Sequence, residues 1–203
     1  MFSLIFSMFT FSLSMSISPG PVNITILSSS MNYGLKQTFA FISGATIGFT
    51  ALLAAVCFGL YQVISLYPIL LNIITVLGTG LLVWMGWNIA RAQGESIQTD
   101  QLELPKAPSF MQGALLQWLN PKAWIAAVSG TALFSASHNA LYLFLFILIY
   151  FVVCYLSLLI WGYAGQKLAV FLNQGSRMRL FNMAMGVLLM FIALQMSWSH
   201  FYV

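Results

Sequence analysis

Charge is what this chain has least of. Of its 203 residues, three are Asp or Glu and seven are Lys or Arg, so 5% are charged. Soluble domains carry about 25%, and a surface this poor in charge excludes a water-facing globule. Cysteine is nearly absent as well. Cys57 and Cys154 each fall in an apolar run, which reads as two small packing residues rather than a disulfide or a metal pair. All three acids crowd into one polar stretch, "GESIQTDQLELPKAP", so the apolar stretches hold no carboxylate. They hold no histidine cluster and no metal-ligand spacing either, which removes the support for an enzyme, a metal or a cofactor.

Apolar residues, by contrast, make up 61% of the chain and the mean hydropathy is +0.93. That composition belongs to an all-α integral membrane protein with the lipid bilayer as its main partner. The net charge of +4 is then no sign of a nucleic-acid partner, because basic residues in such chains mark the loops kept in the cytoplasm. The opening "MFSLIFSMFTFSLSMSIS" lacks the basic start of a signal peptide and reads as a first span.

A bilayer core needs about 20 apolar residues in a helix. Runs of that size lie at 3–31, 38–61, 69–90, 110–133, 140–165 and 180–199, six spans in a single domain. Lys36 falls in the first connection, Arg91 and Lys106 in the third, and Lys167, Arg177 and Arg179 in the fifth. The second and fourth connections and both termini have no Lys or Arg. The positive-inside rule therefore makes the odd-numbered loops cytoplasmic and puts both termini outside.

Lys122 is the exception. It sits in "LLQWLNPKAWIAAV", about a dozen residues from either end of the fourth span, too deep for a four-carbon stem to reach the interface. An ionisable group at that depth is by default a functional hypothesis.

Two proline motifs interrupt the spans. In "SMSISPGPVNI", Pro19, Gly20 and Pro21 follow one another, and proline in a helix interior costs about 3 kcal/mol. Ser18 before Pro19 has the form of an N-cap followed by a first-turn proline, and so does Asn120 before Pro121. The bland alternative is a pair of proline kinks healed by neighbouring helices. The matched places of the two motifs, in the first and fourth spans, favour two three-span halves, about 1–92 and 108–203, joined by a cytoplasmic loop at 91–109. The third and sixth spans echo each other as well, "GTGLLVWMGW" against "AMGVLLMFIA". Three being odd, the second half runs inverted, as in secondary transporters whose broken helices meet at the midplane.

At these residues the chain resembles the lysine exporter superfamily, LysE/RhtB type, of bacterial inner-membrane amino-acid exporters. "SPGPVNITILSSSMNYGLKQ", "GATIGF", "LGTGLLVWMGWNIARA" and "NPKAW" carry the likeness through nearly the whole chain. The resemblance implies export of small amino acids or their derivatives across the inner membrane, driven by proton antiport. One departure stands out: many members have Asp or Asn directly after the proline–glycine–proline motif, where this chain has Val22 and only then Asn23.

The candidate substrate-binding residues are Pro19, Gly20, Pro21, Asn23, Gln117, Asn120, Pro121 and Lys122, with the two half-helix N-termini and Lys122 around the substrate carboxylate. The spans lack a carboxylate for a cationic side chain, so the expected substrate is neutral. Ser28, Trp118 and Trp124 also lie near the breaks, whereas Trp84, Trp87, Trp161 and Trp198 lie toward span ends, the usual place of an interfacial belt. Gly44 and Gly48 form a small-xxx-small pair suited to internal packing or, alternatively, to a homodimer seam. A channel or ion transporter is the second functional reading, and a small membrane enzyme the third.

Overall fold

The computed structural model describes residues 2–60, 62, 66–92, 107–134, 140–172 and 175–202. Among the described residues the helices are α1 Phe2–Ile17, α2 Pro21–Tyr33, α3 Leu35–Cys57, α4 Pro68–Arg91, α5 Phe110–Trp118, α6 Pro121–Phe134, α7 Ala140–Phe171 and α8 Gly175–Tyr202. No strand occurs among the described residues. The acidic loop, Lys106 and His138 lie outside them.

Four helices, α3, α4, α7 and α8, are long and apolar enough to cross a membrane. A fifth candidate is the pair α1–α2, bent by 59° at residues 18–20. Burial supports the membrane reading. The most apolar stretch of α7 buries 33% of itself within the protein and that of α8 only 22%; Phe144, Leu148, Leu156, Ile160, Phe191 and Leu194 all face outward. Water would not tolerate that surface, and lipid does.

Glycine sets how closely the helices approach. Gly44 and Gly48 of α3 lie against α5, where a Cβ on Gly48 would stand 2.6 Å from Ala114 Cα and one on Gly44 would run into the Phe110 carbonyl. From the other side Gly113 of α5 faces the Phe41 carbonyl. The small-xxx-small pair therefore serves an internal contact. Gly86 of α4 and Gly186 of α8 face each other in the same manner, in the two helices whose sequences echo.

The first connection is shorter than its polar look suggests. α2 runs to Tyr33 and α3 restarts at Leu35, with Gly34 alone between them at φ +81°. That left-handed region favours glycine. Its amide still bonds the Ser30 carbonyl at 3.0 Å, so the turn loses no backbone partner.

Polar glue joins α2 to α8. Asn32 and Asn182 exchange amide bonds of 3.0 and 2.8 Å, and Asn182 also donates to the Ala92 carbonyl just past α4 at 3.0 Å. Asn182 is fully buried, so each bond replaces one that water cannot make. Interhelical bonds of this kind average about 0.6 kcal/mol and reach about 1.7. Asn182→Leu is expected to lower the melting temperature in detergent by about 2–6 °C, read by intrinsic fluorescence; an unchanged melt would mean that the amide pair is idle.

Candidate functional site

A helix that stops inside an apolar protein leaves its last carbonyls without partners. α1 stops at Ile17, and every carbonyl from residue 15 to 19 is met by a side chain. Met15 O accepts from Ser18 Oγ at 3.2 Å, Ser16 O from Asn23 Nδ2 at 2.9 Å, and Ile17 O from Trp161 Nε1 at 3.1 Å. Lys122 Nζ, from the first turn of α6, donates to Ser18 O at 2.8 Å, Ser18 Oγ at 2.8 Å and Pro19 O at 3.3 Å. An ammonium has three hydrogens, and all three find oxygen here.

This arrangement corrects the expected cap. Ser18 does not open the second half-helix, because its hydroxyl is taken by Met15 and Lys122. Gly20 is the N-cap, extended at φ −165° and ψ 177°, with Pro21 in the first turn. Gly20 is small for a steric reason: a Cβ there would lie 3.0 Å from Lys122 Nζ and 3.1 Å from its Cδ. Gly20 has no side chain with which to cap, so the first amides of α2, those of Val22 and Asn23, have no side-chain acceptor among the described residues.

The second break is capped differently. Asn120 is the cap that Asn-Pro predicts: its Oδ1 accepts from the Lys122 amide at 3.1 Å, and its carbonyl accepts from Ala123 and Trp124. Trp124 Nε1 takes the Trp118 carbonyl at 2.8 Å, with the two indoles edge to face. The α6 N-terminus is therefore already occupied by its own asparagine. The expected symmetry of two open helix ends does not hold, and α2 alone presents uncapped amides.

Between the breaks lies a cavity of about 40 Å³, lined by Gly20, Pro21, Asn23, Gln117, Asn120 and Lys122 at one part. Met15, Ser16, Phe49, Tyr150, Cys154 and Leu158 are among its other lining residues. Six of the eight sequence candidates thus converge; Pro19 contributes only its carbonyl to Lys122, and Pro121 stays in the α6 first turn outside the lining. Ser28 turns instead to Asn32. Gln117 is buried in the lining; its carbonyl accepts from the Asn120 amide at 3.3 Å, and its side-chain amide holds no hydrogen bond among the described residues. Ser16 Oγ, beside the Tyr150 hydroxyl and the Cys154 thiol, is buried without completing a hydrogen bond of normal geometry.

Sequence reasoning missed Ser16, Phe49, Tyr150 and Cys154 as lining groups. Trp161 is also corrected. Its position near a span end suggests an interfacial belt, but α7 continues to Phe171 and the indole serves the α1 break. Cys57 and Cys154 are both free thiols.

Comparison with known proteins places this geometry. The cysteine/O-acetylserine efflux protein of Salmonella typhimurium (strain LT2) is 24% identical over 132 residues, 64% of this chain and 65% of the relative. That of Escherichia coli O1:K1 is 27% identical over 135 residues, 65% of this chain and 66% of the relative. The matches thus span just under two thirds of those relatives' length. No solved structure matches. The family model for LysE type translocators covers residues 13–199, both breaks and the cavity included, and the chain therefore belongs to the LysE type translocator family.

Proposed function

We propose that this protein is a secondary transporter that exports small neutral amino acids or their derivatives across the bacterial inner membrane by proton antiport. The observation that carries the reading is the meeting of two helix breaks around one cavity of mixed polar and apolar lining, with an ammonium and uncapped helix amides at its wall. The substrate carboxylate binds between the α2 N-terminus and Lys122, where the helix end is worth about 0.3–2 kcal/mol to an anion and the ammonium exchanges its long 3.3 Å bond to Pro19 O for a charge-assisted hydrogen bond of about 1.5–3 kcal/mol to the carboxylate. The amide groups of Asn23, Gln117 and Asn120 orient the rest of the amino acid. Ser16, Tyr150 and Cys154 offer short polar contacts to a small side chain, in keeping with relatives named for cysteine and O-acetylserine efflux.

The chain is one domain of six spans in two inverted halves, about 1–92 and 108–203. α1–α2 and α5–α6 are the broken first and fourth spans. The packing supports this. α7 packs on α1 and α2 as α3 packs on α5 and α6, while α3 meets α7 and α4 meets α8; exchanging the halves preserves these contacts, though not those of α2 with α4 and α8. Pro21 and Pro121 lie 100 positions apart, and so do Gly86 and Gly186. The basic connections put both termini outside the cytoplasm.

At about 40 Å³ the cavity has room for a few water-sized groups and not for an amino acid. Loading therefore requires the two halves to part, as alternating access demands. The test is efflux from proteoliposomes across a panel of amino acids with an imposed pH gradient. Cysteine, serine or O-acetylserine should leave in a gradient-dependent way, faster than lysine or arginine. Preference for the cationic pair would overturn the neutral-substrate reading, and flux indifferent to the gradient would indicate a channel.

A further inference from the structure

Broken-helix transporters commonly bind a free cation on the carbonyls that unwinding exposes, at the negative end of a half-helix. The α1 break has such a set of oxygens. Ser18 O, Ser18 Oγ and Pro19 O converge from just beyond the α1 C-terminus on one point, 2.8, 2.8 and 3.3 Å away. That point is occupied by the Lys122 ammonium.

We propose that these three oxygens form a monovalent cation site which Lys122 fills as a tethered cation, so that the protein carries its own counter-charge and takes no sodium or potassium there. Four observations converge on this. The ammonium has as many acceptors as it has hydrogens. No carboxylate lies in the apolar stretches to pair with it. The Ser18 hydroxyl donates its hydrogen bond to the Met15 carbonyl, which leaves an oxygen lone pair free for the cation. Finally, Gly20 is the residue that makes room for the lysine stem, since a Cβ there would touch Nζ and Cδ. A lysine that merely sought the membrane surface would need neither the oxygens nor the glycine.

Two consequences separate this from a simple structural tie. Shortening the side chain should leave a vacancy of defined chemistry, one that a small primary ammonium refills. The native protein should offer no such vacancy. The inference concerns the same residue as the export reading, but its main test needs no substrate.

The experiment is thermal unfolding of detergent-purified protein at constant ionic strength, with sodium replaced by methylammonium or by tetramethylammonium. Lys122→Ala is expected to gain about 2–5 °C in methylammonium and nothing in tetramethylammonium, which has no N–H to donate. The wild type and Lys122→Met, whose stem still fills the passage, should not respond. No gain for Lys122→Ala in methylammonium, or an equal gain in tetramethylammonium, would overturn the proposal. A second measurement stands if that variant fails to accumulate. Wild-type melting and wild-type efflux should be unchanged when sodium and potassium are replaced by choline. Loss of either on replacement would place a metal cation in the cycle and overturn the tethered-cation account. Efflux that is absent under every condition, with the melting pattern as expected, would count against the export reading alone.

Discussion

Lys122→Met is expected to accumulate in the membrane at near wild-type levels and yet export at least about tenfold more slowly. The two halves of that expectation have different magnitudes. On the stability side, the variant leaves Ser18 O and Pro19 O without their donor, while the methionine stem keeps most of the packing. Losing polar contacts of this kind inside a membrane protein costs about 0.6–1.7 kcal/mol, and Met15, Asn23 and Trp161 continue to hold the break. On the transport side, the substrate carboxylate loses a charged partner worth roughly 1.5–3 kcal/mol, and about 1.4 kcal/mol is already tenfold. Transport should therefore fall before the fold does. Lys122→Arg should restore little, because the planar guanidinium is bulkier than an ammonium and the Lys122 stem already passes close beside Gly20. Efflux at matched membrane expression is the readout. Wild-type export by Lys122→Met would remove the lysine from the carboxylate site.

The largest effect on the fold itself is expected at Gly186. A Cβ there would run into the Gly86 carbonyl and stand 2.6 Å from both Ala90 Cβ and Ala90 N. These atoms are backbone or next to it and cannot swing aside, so α4 and α8 must separate. Overpacking of this type costs about 1–3 kcal/mol even for one methyl, or about 3–10 °C in melting temperature for a chain of this size. Gly186→Ala should show that loss, and Gly186→Leu should fail to accumulate. Gly80 on α4 is the control. Nothing lies within 4 Å of the position its Cβ would take, so Gly80→Ala should be neutral or slightly stabilising, given alanine's better helix propensity. Size-exclusion of a fluorescent fusion followed by a melt distinguishes these. Equal tolerance at 186 and 80 would mean that the glycine contact does not set the helix separation.

How much of this was legible beforehand follows from where each cause lies in the chain. Both breaks were readable because proline removes an amide and clashes with the preceding turn, a local effect. Asn120 was readable as a cap for the same reason. Ser18 was misleading, since Ser-Pro and Gly-Pro fit a helix start equally well in sequence. Only the 104-residue contact with Lys122 decides that the serine is spent as a cation ligand. The depth of Lys122 in an apolar run marked it as unusual, but its partners on Ser18 and Pro19 were not visible. The Asn32–Asn182 pair and the reach of Trp161 to Ile17 left no local sign, because neither residue breaks a pattern in its own helix. The echo between the third and sixth spans was visible as a resemblance of strings, but it sets Gly186 beside Gly80, and the contact of Gly186 with Gly86 was not legible from it.

The central claim is that the cavity between the breaks recognises an amino acid by its carboxylate. Its most direct measurement is competition for labelled substrate binding to the purified protein, with each neutral amino acid offered as the free acid and as its methyl ester. The ester keeps the ammonium and the side chain and removes the negative charge. The account predicts displacement by the free acids and at least about tenfold weaker displacement by their esters. Esters that compete as well as the acids would contradict it.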